Sequence, residues 1–279
     1  MKKTIKKKTK PRINIDADFL AIDVETTGTF PKHGCQPFFI STCNSDGEHS
    51  SFSFDVDPKT RIVEFRNTDL AKFKKLVHRY KHFVFHNALF DIAMLRTLPE
   101  YGQDIYNLFL DALHSDRVDD TMLSAHAIDS KETKGLKEQA LIYCDINADD
   151  EKALDDAVKH IRLKAKKLNW MIAHEGLPQL AGQTSKWHKC DMWILRAWAI
   201  HHKLPKNHEY WHLCATYADT DTWRTVALRT AHARILNNEP SLIEPYLQNM
   251  RLMPGVLKMQ ENGVPLSDKW YDIEYTTLS

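Results

Sequence analysis

Apolar positions come in short blocks along the first half of the chain and at helical spacing along the second. The run Phe19-Leu20-Ala21-Ile22 predicts a buried strand over 19–24. Phe38 through Cys43 and Ser51 through Val56 flank the turn-rich Asn44-Ser45-Asp46-Gly47, which predicts a hairpin over 37–56. Leu70, Phe73, Leu76 and Val77 share one helical face, with Asp69 as the expected cap and an end near Tyr80. His82 through His86 reads as a strand, followed by a helix from about Ala88 to Leu98, a short approach through Val118 and a helix from Thr121. Everything after Gly135 looks helical, and no internal repeat is evident.

The stretch 148–210 is less regular. Leu154, Val158, Ile161, Ala165, Leu168 and Ile172 form a helical stripe flanked by Lys159, Arg162, Lys164, Lys166 and Lys167. The favoured reading is a core-docked helix with a solvated basic face, and the rival is a face that contacts nucleic acid. Residues 174–189 read as a loop, rich in Gly, Pro and small polar residues. Trp193, Trp198 and Trp211 are expected to fill a helical core, with Trp187 in the loop the candidate for stacking on a base.

At 279 residues the chain fits one large domain or a domain with an appendage. The net charge of +1 hides an asymmetry. Seven lysines and arginines, and no acid, occupy the first twelve residues; without them the remainder carries −6. A basic start on a mildly acidic body suits either a disordered solubilising tail or an enzyme that meets a polyanion and keeps an acidic metal site. Cys35, Cys43, Cys144, Cys190 and Cys214 are odd in number and form no Cys-x-x-Cys pair, which argues for reduced thiols in a cytosolic setting. His188-x-Cys190 and His212-x-Cys214 lack the spacing of a familiar zinc knuckle. No secretory signal or membrane span is legible, so a soluble protein without a membrane partner is expected.

Three acidic signatures then change the picture. Asp23 and Glu25 are two apart at the end of a strand, so both carboxylates leave the same face and repel unless a cation sits between them. Asn87 and Asp91 bracket the first turn of a helix, where Asn87 is also a good N-cap. Asp91 lies among Leu89, Phe90, Ile92, Ala93, Met94 and Leu95, and an acid in such surroundings needs a partner. Tyr217 and Asp221 are four apart on a helix and share a face, whereas Asp219 points elsewhere. Four carboxylates in this arrangement can hold two divalent cations, and hard oxygen ligands favour Mg²⁺ or Mn²⁺ over zinc.

The set Asp23-x-Glu25, Asn87-x-x-x-Asp91 and Tyr217-x-x-x-Asp221 resembles the DEDDy branch of the DnaQ-like 3′→5′ exonucleases, and within it the proofreading domain of family A DNA polymerases. Asp120-Thr121-Met122-Leu123, Gly135 through Ala140, and Thr225 with Leu228 support the narrower match. Met253 through Leu266 is similar to the start of the polymerase module of that family. The resemblance implies that Asp23, Glu25 and Asp221 share the metal that activates water, and that Asp23 and Asp91 hold the second. It further implies that Tyr217 and Glu25 orient the nucleophile, that Asp120 braces the site, and that Thr26, Thr27, Phe30, Asn87 and Phe90 meet substrate. A leucine that wedges the terminal base in the family is absent after Gly28, where Thr29 and Phe30 follow. Either Phe30 replaces it or the grip on the terminal base is weaker.

The expected architecture is a ribonuclease-H-like α/β fold, a mixed five-stranded sheet with flanking helices, a helical insertion and a C-terminal helix. Residues 1–16 would be a basic disordered tail, 17–238 the exonuclease domain with the insertion at 148–210, and 239–279 the truncated start of a polymerase module. The expected activity is release of nucleoside 5′-monophosphates from a single-stranded DNA 3′ end or a frayed primer terminus, with a polymerase module in cis or in trans, in a bacterial or phage-infected cytoplasm. The alternative is an RNA-trimming enzyme like ribonuclease D. A non-catalytic binding module on the same fold would be signalled by a missing carboxylate, and all four are present.

Overall fold

The computed structural model describes residues 12–57, 62–167 and 192–263, with the helix path alone at 149, 150 and 165–167. The expected loop at 174–189 with Trp187, the His188-x-Cys190 pair and the chain after 263 lie outside the described residues.

Five strands make the central sheet: β1 (Leu20–Thr26), β2 (Pro37–Asn44), β3 (His49–Ser53), β6 (Phe83–Phe85) and β7 (Val118–Asp120), in the order β3-β2-β1-β6-β7. β2 runs antiparallel to β1 and β3, while β1, β6 and β7 are parallel. This is the ribonuclease-H-like arrangement. The hairpin turns through Gly47 at φ +85, a left-handed conformation that favours glycine. Its second strand is shorter than expected. The chain leaves the sheet after Ser53, and β4 (Asp55–Val56) pairs instead with β5 (Val63–Glu64) in a separate two-stranded ribbon.

Helix α1 (Asn67–Val77) buries Leu70, Phe73 and Val77 as the pattern required, but Arg66 holds its N-cap position. Asp69 lies one turn inside and accepts from Arg66 Nε at 2.7 Å, so the expected cap is a first-turn ion-pair partner. Helix α2 (Ala88–Leu95) ends three residues earlier than expected, and a helix absent from the sequence reading follows: α3 (Gly102–His114). It buries Ile105, Tyr106, Phe109, Ala112 and Leu113, and Phe109 meets Phe83 and Phe85 edge-on. After β7 come α4 (Thr121–Ile128), α5 (Leu136–Cys144), α6 (Asp149–Lys167), α7 (Trp193–His201), α8 (Leu213–Asn238) and α9 (Pro240–Asn262). Leu154, Val158 and Ile161 of α6 are buried while Lys159 and Lys164 are exposed, which matches the favoured reading over that half of the stripe; Leu168 and Ile172 lie outside the described residues. Trp193 and Trp198 of α7 are buried in the same core.

Strand alternation divides the sheet into two faces. Leu20, Ile22 and Val24 enter the main core with α1, α2 and α3. Phe19, Ala21 and Val84 face the other way, against Val226 of α8. Asp23 and Glu25 continue that second face and therefore meet α8. Helix α9 packs into the main core through Ile243, Tyr246, Met250, Met253 and Leu257, so its packing is continuous with the preceding α/β body across the expected boundary at 238/239. Residues 13–15 belong to the expected disordered tail, yet they are bound to α8. Asn237 pairs with both backbone groups of Ile13 at 2.8–2.9 Å, and Arg229 donates to the carbonyls of Asn14 and Ile15.

Candidate active site

Three elements bring the four acids together at the carboxyl end of β1. Asp23 and Glu25 stand at the strand's end, and Asp91 comes from the first turn of α2 with Oδ1 accepting the Val24 amide at 3.2 Å. Asp221 comes from α8, whose long path crosses β1 and β2. Asp91 and Asp221 are buried, while Asp23 and Glu25 keep part of their surface in solvent.

Their protonation equilibria record the crowding. Burial first, and then the Asp221 charge, push Asp23 up to about 7, partly opposed by Lys137. Burial together with Asp23, Asp221 and Asp91 holds Glu25 well above the ordinary carboxylate range. Burial and Asp23 do the same to Asp91 against the Val24 amide. Asp221 is raised by burial despite the Arg224 guanidinium, whose Nη1 donates to Asp221 Oδ1 at 2.7 Å. Neighbouring carboxylates that raise one another bind cations in place of protons.

Tyr217 lies one turn before Asp221 on α8, and Lys137 of α5 donates to its phenol oxygen at 2.9 Å. Burial and four carboxylates, Asp221, Glu25, Asp23 and Glu151, push the phenol far above its ordinary value, so it stays protonated and can donate. Asp219 accepts from Ser41 at 2.7 Å and Ser51 at 2.6 Å, away from the acids, as its position on α8 implied.

Asp120 is a structural acid. It accepts from the amides of Ala88, Met122 and Leu123 at 2.8–3.0 Å, with a longer contact to Asn87 N, and so joins the starts of α2 and α4 behind the site. Asn87 sits at the N-cap in a left-handed conformation (φ 76, ψ 56), and its side chain makes no capping bond. The expected capping role therefore passes to Asp120, and Asn87 supplies a turn that asparagine tolerates better than most residues.

A cavity of about 390 Å³ opens beside Glu25, between Thr26 and Phe90 on one wall and α6 on the other, where Leu154, Val158, Lys159 and Arg162 line it. That volume falls within the ~300–1,000 Å³ common for small-ligand sites. Thr26 and Phe90, expected at the substrate, do line it. Thr27 is buried and turned into the loop, its hydroxyl accepting from the Gln36 amide at 3.1 Å. Phe30 is 46% exposed, packs on the His33 ring and is not among the residues that line the cavity.

Sequence reasoning gave no role to Lys137 or Arg224. Lys137 stood inside a quoted motif, but its partner Tyr217 is 80 residues away. Arg224 was legible in principle, three residues after Asp221 on one helix.

Among the described residues, no group of three or more His, Cys, Asp or Glu side chains is gathered closely enough to enclose an ion. The donor set still fits a hard divalent cation: four carboxylates, all oxygen, each held above its ordinary value. No helix among the described residues is long and apolar enough to cross a membrane. No family model matches the chain, and no curated protein does. Among solved structures, Brucella melitensis NrnC is similar at 15% identity and a TM-score of 0.47, covering 91% of this chain and 90% of that one.

Proposed function

We propose that the chain is a metal-dependent 3′→5′ exonuclease that removes nucleoside 5′-monophosphates from a single-stranded nucleic acid. The observation that carries this reading is the convergence of Asp23, Glu25, Asp91 and Asp221 with Tyr217 at the carboxyl end of the central strand, beside a cavity of about 390 Å³. By the motif resemblance Asp23, Glu25 and Asp221 would hold one cation and Asp23 with Asp91 a second, and an arriving cation would draw together carboxylates that stand too far apart here to enclose it. When bound, the pair supplies Lewis-acid stabilisation to the attacking and leaving oxygens of an in-line displacement. Tyr217 keeps its proton one turn from Asp221, which suits it to orient a water there. Phe90 offers an apolar wall for the terminal nucleoside, and Lys159 and Arg162 offer positive charge to phosphates on the opposite wall.

DNA, with a proofreading role beside a polymerase module, is the finer reading that the motif resemblance favours. RNA trimming is the second. A specific observation gives it weight: the described part of the polymerase-like segment, Met253 to Gly263, is folded into the nuclease core through Met253 and Leu257. The carboxylates address a phosphodiester that both polymers share.

The test is digestion of matched 5′-labelled DNA and RNA single strands with Mg²⁺ or with chelator, using Asp91→Ala as control. A metal-dependent ladder shortening from the 3′ end, absent in the variant, is expected. Stability of both strands in metal, or an unimpaired Asp91→Ala enzyme, would overturn the assignment.

A further inference from the structure

We propose that Lys137 is a positioning residue of this site: it fixes the hydroxyl of Tyr217, and Glu151 ties it to α6. The inference rests on the exonuclease reading above and extends the site into a helix to which the resemblance gives no role. Lys137 Nζ lies 2.9 Å from the Tyr217 hydroxyl oxygen and 2.9 Å from Glu151 Oε1. Its side chain is only 16% exposed, whereas a lysine engaged in a simple surface pair extends its ammonium into water.

The chemistry of the contact is directional. An ammonium has donors and no acceptor, so the phenol oxygen must accept from it. The phenol's own hydrogen is then left for another partner, and Asp221, one turn on along α8, is the carboxylate whose charge acts on it most. Rotation about the phenol C–O bond is thereby restricted, with the hydrogen aimed at the carboxylate edge where water would be held. The same ammonium opposes the mutual repulsion of Asp23, Glu25 and Asp221 without ligating anything.

Glu151 stands in the first turn of α6, and buried Leu154, Val158 and Ile161 fix that helix against the core. A second bond joins the same region to α8: Arg224, whose Nη1 holds Asp221, donates through Nη2 to the Asn147 carbonyl at 2.7 Å. The docking of α6 therefore reaches both Tyr217 and Asp221, while its other residues wall the cavity.

Four proteins decide the matter: Lys137→Met, Lys137→Arg, Tyr217→Phe and the double variant Lys137→Met/Tyr217→Phe. The readouts are kcat and KM on a labelled single strand, Mn²⁺ affinity by calorimetry, and Tm in chelator. Lys137→Met should lower kcat at least about tenfold with KM within about twofold, and Lys137→Arg should recover most of the rate. On the Tyr217→Phe background the same substitution should cost less than about twofold, because its effect passes through the phenol. Mn²⁺ should bind Lys137→Met as tightly as wild type or tighter, since a positive charge has left the site, and Tm in chelator should fall.

Full additivity in the double variant, a wild-type kcat in Lys137→Met, or much weaker Mn²⁺ binding would each overturn the proposal. An Asp91→Ala enzyme that is dead beside a Lys137→Met enzyme of normal rate would refute this inference alone. An active Asp91→Ala enzyme would refute the exonuclease reading itself.

Discussion

Replacing Asp23 with asparagine should make the metal-free protein more stable at neutral pH, although it removes a proposed metal ligand. Burial and the Asp221 charge hold the Asp23 carboxyl at about 7, whereas an unfolded aspartate titrates near 3.8. A raised folded value means that the native state binds more protons than the unfolded one between those limits. Stability contributed by protonated Asp23 is therefore complete below about pH 4 and is lost as pH rises towards 7. At ~1.4 kcal/mol per pH unit the ceiling is about 4 kcal/mol. Partial solvent access and relaxation of neighbours reduce this to roughly 2 kcal/mol, or about 4–8 °C in Tm for a chain of this size.

The comparison must be made between variant and wild type at equal pH. His232, held near 4 by burial, gains stability as pH rises over much of the same range, and only the difference cancels it. Thermal unfolding in chelator should show Asp23→Asn and wild type close together at pH 4, diverging to pH 7 and parallel above. Excess Mn²⁺ should reverse the order at pH 7 by stabilising wild type more. A variant no more stable than wild type at pH 7 in chelator would refute the account of carboxylate crowding.

Three further outcomes follow from the same geometry. Tyr217→Phe should lower kcat tenfold or more and leave strand affinity, measured by anisotropy in chelator, within about twofold; equal losses in both would mark a structural tyrosine. Lys159→Gln and Arg162→Gln should raise KM and flatten the salt dependence of binding by about 0.7 log units per log unit of salt for each lost phosphate contact, and unchanged slopes would confine α6 to a structural role. Tyr246→Phe removes a hydroxyl that donates to Asp119 at 3.1 Å and accepts from the Asp120 amide at 3.2 Å; urea unfolding should report a loss of about 1–3 kcal/mol, and a neutral result would deny that bond its place in the core.

The acids were legible in the sequence because each follows a short element whose periodicity survives in isolation. Ile22 and Val24 alternate with Asp23 and Glu25, and strand geometry does the rest. Tyr217 and Asp221 needed only the helical repeat. Helix α3 was passed over although Ile105, Tyr106, Phe109, Ala112 and Leu113 are well spaced, because Gly102 and the turn around Pro99 broke the apparent continuity with α2. Asp69 was misread as a cap because its residue type suits that position, while the backbone bonds that start α1 come from Arg66. The contact of Lys137 with Tyr217 had no signature at all, since the packing of α5 on α8 alone brings them together.

Burial does not separate the proposed metal ligands from the structural acids; their partners do. Asp119 and Asp120 are adjacent, and both are surrounded by protein. Burial pushes Asp119 up, but His82 at 2.9 Å and Arg229 at 3.0 Å outweigh it and hold the carboxyl below its ordinary value. Asp120 is raised by burial and accepts backbone amides at two helix starts, which fixes its orientation. Both have a full set of partners within the chain. Asp23 and Glu25 have chiefly other carboxylates as charged neighbours, and the Lys137 cation moderates both. A fold that keeps such a cluster at the end of its central strand bears a cost that falls only when positive charge arrives, and removing that charge exposes the cost as lost stability. That cost locates the site, and the asparagine substitution at Asp23 measures it.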